Sequence, residues 1–245
     1  MSTTTMRRDG ETQAWTRRAR PALGTLVEIG VASRGSGAEH SADDAIAAAF
    51  ARIAIAEAQL SRFDPASAIH RFNVAAPGTV LAIGSDATCV LAAARELNQA
   101  SAGTFDITLG SGTAGWHSEA GMLFKTEAGT TIDLGGIGKG HAVDCAVAAL
   151  RAAGVEAGWV NAGGDLRVFG DLTLPVHLRD ETGGGVRRFA DLRGGAFATS
   201  RLPAGHASVA AEECLWADAL TKLVVASGDA RHPLLERYAA VAWLH

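Results

Sequence analysis

No stretch of this 245-residue sequence approaches the ~20 consecutive apolar residues of a membrane-spanning helix, so no membrane insertion is expected. The N-terminal segment also lacks the apolar run and small-residue cleavage site of a secretory signal. Arg7 and Arg8 are followed by Asp9, Gly10 and Glu11, where a twin-arginine leader would turn apolar. A cytoplasmic protein is the expectation. A basic excess is missing too: 22 Lys and Arg stand against 26 Asp and Glu, a net charge of −4. Phosphate-backbone binders carry the opposite balance, so no nucleic-acid partner is expected. Cysteine is scarce. Cys89, Cys145 and Cys214 are odd in number and far apart, which fits neither a disulfide framework nor zinc-ligand spacing. Each lies in an alanine-rich helical stretch and is expected as a buried free thiol. Internal repeats and linkers are absent.

Hydrophobic residues make up 48% and charged residues 20%, enough for a packed core. Glycine numbers 29, about 12% against a usual ~7%, without a collagen period. The excess points to tight turns and close backbone approaches. Residues 1–17 are polar and aperiodic and are expected as a mobile tail ahead of one domain over 18–245. A strand is predicted around 23–31. A helix follows, its start marked by Ser41 and Asp44, its buried stripe by Ile46, Phe50, Ile53 and Leu60. A second helix runs from Ser85 to about Gln99. A third spans about 140–153, with Val143, Val147 and Leu150 inside and Gly154 as its stop. Short strands are predicted at 158–160, 166–169 and 174–178, a helix at about 212–226, and a last strand at 241–244. Regular βαβ alternation is missing, which favours an α+β fold.

The most informative stretch is Thr131-Ile-Asp-Leu-Gly-Gly-Ile-Gly-Lys-Gly-His-Ala-Val-Asp144. An apolar strand ends in an acid, a glycine-rich turn follows, and a lysine sits at the mouth of a helix. Amides freed by Gly135, Gly136 and Gly138 can approach a phosphate, and the helix N-terminus adds favourable partial charge. The spacing is neither that of a Walker A loop nor G-x-G-x-x-G. By itself the turn is equally compatible with a structural role. Three further segments stand out: Gly103-Thr-Phe-Asp-Ile-Thr108, Asn161-Ala-Gly-Gly-Asp-Leu-Arg167, and Ala217-Asp-Ala-Leu-Thr-Lys222 on a helix.

With Leu23-Gly-Thr25, Ser61-Arg-Phe-Asp-Pro-Ala-Ser67 plus Asn73, and Ala198-Thr-Ser200, these segments in this order make the chain resemble the FAD:protein FMN transferase (ApbE) family. The likeness extends from about Arg18 to Gly228. It implies a single compact α+β domain with a mixed, largely antiparallel sheet and flanking helices. It also implies an activity: FMN passes from FAD to a threonine or serine of a flavoprotein acceptor, AMP is released, and magnesium assists. By the same resemblance Leu23 and Phe63 lie near the flavin, where the family has a methionine and a stacking aromatic. Thr104, Phe105 and Asp106 line the FAD site, and Asp133 and Lys139 contact the cofactor. Gly136, through its carbonyl, and Asp218, through its carboxylate, would hold the metal. Without the resemblance, Phe63 and Phe105 read as core residues, and Asp133 and Asp144 as caps of the turn and helix around Lys139.

Three positions depart from the family. Lys222 stands where a threonine usually supplies another metal ligand, and a protonated lysine has only donors to offer. Two roles are open to it: an ion pair with Asp218 one turn earlier, or part of the metal's electrostatic role. A His-x-x-Asp-Pro segment that usually carries a proton-accepting histidine is missing; His206 is close in sequence but reads more simply as a loop residue. Arg201 replaces the glycine after Ser200. Two alternatives to transfer therefore remain open: FAD binding without transfer, and FAD hydrolysis. Trp116 and His117 read as loop residues without a role.

Overall fold

Most of the strands assemble into one large antiparallel sheet, and three of the long helices pack against it. The computed structural model describes residues 3–8, 11–33, 38–179, 184–203 and 205–245. The strands of the large sheet are β1 (Thr3–Arg8), β2 (Glu11–Ala22), β3 (Thr25–Ser33), β7 (Gly158–Ala162), β8 (Asp165–Arg179), β9 (Val186–Leu202), β10 (Gly205–Ala211) and β11 (Val241–Leu244), in that spatial order. A second sheet of three strands has the order β4 (Val80–Ala82), β6 (Met122–Lys125), β5 (Trp116–Glu119). Every described pairing is antiparallel. The helices are α1 (Ala38–Leu60), α2 (Ala68–Val74), α3 (Ser85–Ala100), α4 (Gly138–Ala152), α5 (Cys214–Ser227) and the short α6 (Leu234–Arg237). Among the described residues no helix is long and apolar enough to cross a membrane.

Two cores meet at α5. One forms between the large sheet and its helices: Val27, Ile29 and Val160 from strands pack against Ile46 and Ile53 of α1 and Val143, Val147 and Leu150 of α4. The other gathers α2, α3 and the small sheet around Leu220, Leu223 and Val224. Helix α5 contributes Cys214 and Ala217 to the first and Leu215 and Ala219 to the second, so it is buried on nearly every side. Polar residues in its middle, Asp218 and Lys222, therefore lie between the cores, where desolvation makes any charge demand a partner.

Helices α4 and α5 approach so closely that Gly140 is needed. A Cβ there would stand 2.2 Å from the carbonyl oxygen of Cys214 and 2.8 Å from Leu215 Cα, both backbone atoms with little freedom to move. Gly140→Ala should lower stability by about 1–3 kcal/mol, as overpacking does. A shifted urea midpoint with an unchanged slope is the expected signature; an unmoved midpoint would contradict the close approach.

Helices α1, α3, α4 and α5 and strand β3 follow the sequence periodicity, but α2 and α6 carry no such signal and several elements differ from it. Helix α1 begins at Ala38, so Ser41 and Asp44 lie inside its first turns rather than at its cap. Residues 11–17, expected within a tail, belong to β2: Ala14 pairs with Ser33 and Arg17 with Gly30, and Trp15 is buried against Trp159. The strands expected at 166–169 and 174–178 are one strand, β8, with a register shift between Val168 and Thr173 where Gly170 turns through φ 74°. The segment around Arg201 and His206, expected as a loop, is the β9–β10 hairpin, and Trp116 and His117 open strand β5. Of the three cysteines Cys214 is buried, Cys145 half-buried and Cys89 exposed, so the buried-thiol expectation fails for Cys89, which α3 turns outward.

Candidate functional site

The glycine-rich turn delivers the chain into α4 with the amide of Gly138 on the carbonyl of Leu134 (2.7 Å). Ile137 at the N-cap position offers no side-chain acceptor. A helix start leaves amides without partners, and one of them, Gly140 N–H, donates to Asp218 Oδ2 at 3.1 Å. The service is returned: Asp144 of α4 accepts from the amides of Cys214 and Leu215 at the start of α5, each at 2.9 Å. Each helix thus supplies the carboxylate that caps the other, a favourable placement against both dipoles. Asp144 also pairs with Arg167.

Asp218 gathers three further charges around its own. Lys222, one helical turn on, hydrogen-bonds Asp218 Oδ1 with its ammonium and also donates to the Asp218 carbonyl at 3.0 Å. Lys139 hydrogen-bonds Asp165 Oδ2 and lies 3.6 Å from Asp218 Oδ2. Asp165 enters from the Asn161–Asp165 turn, where Asn161 Oδ1 accepts from the amide of Gly164 (3.0 Å). Both carboxylates are essentially inaccessible, whereas the Lys139 side chain keeps 33% of its surface open. Burial pulls the Lys139 pKa down, but Asp218 and Asp165 outweigh it and hold the ammonium above the usual lysine range. Burial pushes Asp165 up, the neighbouring charge of Asp218 adds to it, and the two lysines only partly offset them, leaving its pKa at about 6. Burial also opposes ionisation of Asp218, but Lys222 and Lys139 prevail and keep it below the ordinary carboxylate range.

A second group adjoins the same glycine turn. Asp133 Oδ1 accepts from the amide of Gly135 (2.8 Å), and Asp133 Oδ2 lies 3.4 Å from Arg62 Nε. The Arg62 guanidinium covers the Phe63 ring at 4.6 Å, and Phe63 is 77% exposed. Ser61 Oγ accepts from the amides of Phe63 and Asp64, both at 3.1 Å, which sets the loop. Asn73, on helix α2 that follows this loop, bonds the carbonyl (2.9 Å) and amide (2.7 Å) of Ile132 just before the turn. A large aromatic held in solvent by a shaped loop is unusual for a core residue and suits a ligand's ring.

The remaining candidates are placed less directly. The amide of Asp133 donates to the carbonyl of Ile107 (2.8 Å), joining the Gly103–Thr108 segment to the turn. Asp106 spends its carboxylate on that segment, accepting from the amide and hydroxyl of Thr108 (2.8 Å) and the amide of Gly110 (3.2 Å). Phe105 is buried in the second core, and Thr104 is exposed. Leu23 turns with φ 55° and donates its amide to Glu57 Oε1 at 3.0 Å; Thr25 of the same turn packs against Gly163, two residues before Asp165. Gly136, Lys139 and Asp218 thus converge with Asp165 and Lys222, while Asp133 and Phe63 face Arg62 on the adjoining side.

The residues do not fit a divalent cation as they stand. Magnesium requires near-octahedral oxygens at ~2.0–2.1 Å. Asp218 Oδ1 holds the Lys222 ammonium, and Asp218 Oδ2 holds Gly140 N–H and faces Lys139. The Lys222 stem lies over Gly136, its carbons 3.5–3.8 Å from where a Gly136 Cβ would be. Thr221, rotated about 100° round the helix, bonds Ser200 Oγ and the Asp218 carbonyl, both at 2.7 Å.

His206 does not replace the missing histidine. Strand alternation sends Ser200 towards α5 and puts Thr199, Arg201, His206 and Ser208 on the opposite face. There Thr199, Arg201 and His206 line a cavity of about 450 Å³, and His206 packs on His245. Sequence reasoning missed Asp165 as a site residue, although it ends the Asn161-Ala-Gly-Gly-Asp motif. It also missed a network in which Asp86 binds Arg52 (2.9 Å) and His141 Nε2 (2.8 Å), with Cys145 Sγ 3.3 Å from the same ring nitrogen. Burial raises the Cys145 thiol to about 12 and Arg52 occupies both Asp86 oxygens, so this cluster ties α1, α3 and α4 together without offering a nucleophile or a cation site.

Comparison with known proteins follows the same lines. The model of the ApbE family matches residues 23–124 and 117–201. No curated protein matches the chain by sequence. Among solved structures, the ApbE protein of Thermotoga maritima is 20% identical, with a TM-score of 0.79 over 94% of each chain. The flavin transferase ApbE of Vibrio cholerae is 17% identical, with a TM-score of 0.79 over 95% of this chain and 93% of its own. The flavinyl transferase ApbE of Pseudomonas stutzeri is 18% identical, with a TM-score of 0.78 over 97% and 92%.

Proposed function

Because the chain belongs to the ApbE family, we propose that it is a flavin transferase that moves FMN from FAD to a threonine or serine hydroxyl of a flavoprotein acceptor in the cytoplasm. The observation that carries this reading is Lys139, whose side chain keeps 33% of its surface open while its ammonium is held over buried Asp165 and Asp218 at the glycine-opened mouth of α4. A pyrophosphate fits such a mouth, where dipole and ammonium favour negative charge, while the amides of Gly135, Gly138 and Gly140 already have partners within the chain. Phe63 and Arg62 offer a ring face and a cation on the adjoining side for the isoalloxazine.

In the proposed reaction the acceptor hydroxyl oxygen attacks the FMN-side phosphorus of FAD. A new phosphoester bond forms, the bond to the bridging oxygen breaks, and AMP leaves with the electron pair. This chain's residues hold the phosphorus in line and neutralise its oxygens. The hydroxyl proton needs an acceptor; Asp165, although its pKa is raised to about 6, lies sealed beneath Lys139 and does not reach the hydroxyl.

The same value sets a pH dependence. Above about 6 the two lysines and two carboxylates sum to zero; below it Asp165 is neutral and the cluster gains one positive charge. FAD should therefore bind more tightly as pH falls through about 6, and Asp165→Asn should bind it tightly without that dependence. Fluorescence titration from pH 8 to 5 checks this; an affinity flat with pH in the wild-type protein would contradict it.

The function itself is tested by incubating the protein with FAD and a candidate flavoprotein and recording the acceptor's intact mass together with AMP. A mass gain of one FMN, matched by AMP, supports transfer. AMP and free FMN without an adduct would mean FAD hydrolysis. Bound, unconsumed FAD would mean a binding protein.

A further inference from the structure

We infer that this chain engages its dinucleotide without a divalent cation, the ammonium of Lys222 standing on Asp218 in the cation's place. This rests on the flavin reading of the site. Asp218 is wholly buried, and a buried carboxylate is stable only if its lone pairs are filled. They are filled from within the chain: Lys222 at Oδ1, Gly140 N–H at Oδ2, and Lys139 beside it. Lys222 is anchored further by the Asp218 carbonyl and by the packing of its stem over Gly136. The neighbouring hydroxyl of Thr221 is spent on Ser200 and on the Asp218 carbonyl.

A divalent ion entering here would have to displace an ammonium from a buried carboxylate and then sit beside the displaced charge. The lysine already supplies what the ion would. An ammonium has three donors; two of those on Lys222 are engaged by Asp218, which leaves a third for a phosphate oxygen. Lys139 offers a second ammonium on the other side of Asp218. The pyrophosphate is therefore met by two lysines fixed on two buried carboxylates.

Binding of FAD is measured by fluorescence in EDTA and again in millimolar magnesium, and free Mn2+ is followed by electron paramagnetic resonance as the full chain is added, with and without FAD. The expected affinities agree within about twofold, and the free Mn2+ signal stays unchanged. Tightening by about tenfold or more on adding magnesium, or stoichiometric loss of free Mn2+, overturns the inference. Lys222→Thr should acquire both Mn2+ binding and a cation-dependent FAD affinity. A folded Lys222→Thr chain that still ignores Mn2+ overturns the assignment of the exclusion to Lys222, and the wild-type titrations decide cation independence even if that variant does not fold. No FAD binding in either buffer overturns the flavin reading, while the Mn2+ titration without FAD separately decides whether Lys222 keeps a cation off Asp218.

Discussion

Replacing Asp218 by alanine should destabilise the protein by about 3–5 kcal/mol, the range for removing one member of a buried ion pair. The side chain is fully buried and does three things at once: it holds Lys222, balances Lys139 and caps α4 through Gly140. Alanine leaves the Lys222 ammonium and a helix start without their carboxylate, and Lys139 with Asp165 alone, at the seam where α4 and α5 touch. Both lysines can swing towards water, since 33% of the Lys139 side chain and 19% of the Lys222 side chain are already open, which limits the loss from above. Urea unfolding of Asp218→Ala against wild type measures it. A loss below about 1 kcal/mol would place the pair in the class of surface salt bridges and contradict its burial.

Lys139→Ala should act the other way, harming ligand more than fold. Its side chain is the most open in the cluster, and a charge-assisted hydrogen bond to phosphate contributes about 1.5–3 kcal/mol, so FAD affinity should fall about 10- to 100-fold. The fold suffers less because Asp165, already raised to about 6, can take up a proton once its partner is gone and avoid an unpaired buried charge. Titration of FAD into wild type and variant at pH 7, with urea midpoints for both, separates the two effects. Unchanged FAD affinity would remove Lys139 from the phosphate site, whatever happens to stability.

The parts of this molecule that the sequence makes legible are those where one physical signal dominates. Helices α3, α4 and α5 carry apolar residues at helical spacing, and Gly154 and Gly228 mark the ends of α4 and α5. The β9–β10 hairpin is illegible for the opposite reason. Its polar Ser200 faces a buried helix hydroxyl and its polar Thr199 faces buried Ser208, so the alternation of apolar and polar residues that betrays a strand is cancelled. Trp116 and His117 were obscured by the glycines before them, although β5 is only four residues long.

The site divides similarly. Lys139 and Asp218 are recognisable from local motifs, and the pairing of Asp218 with Lys222 is readable from their i, i+4 spacing. What spacing cannot show is depth: such a pair on an exposed helix contributes only ~0.3–0.5 kcal/mol, whereas here it lies between two cores. Asp165 becomes part of the site only when β8 carries it beside α4, a contact 26 residues apart in sequence. Phe63 and Phe105 are indistinguishable as letters, yet one projects into solvent beside Arg62 and the other is sealed in the second core.

The central claim, that the Lys139 ammonium meets the pyrophosphate of FAD at the mouth of α4, is tested most directly by a crystal structure of the protein with FAD bound. The account predicts a pyrophosphate oxygen at ~2.7–3.2 Å from Lys139 Nζ, with the flavin ring against Phe63. A pyrophosphate lodged elsewhere, with Lys139 still turned wholly onto Asp165 and Asp218, would contradict it.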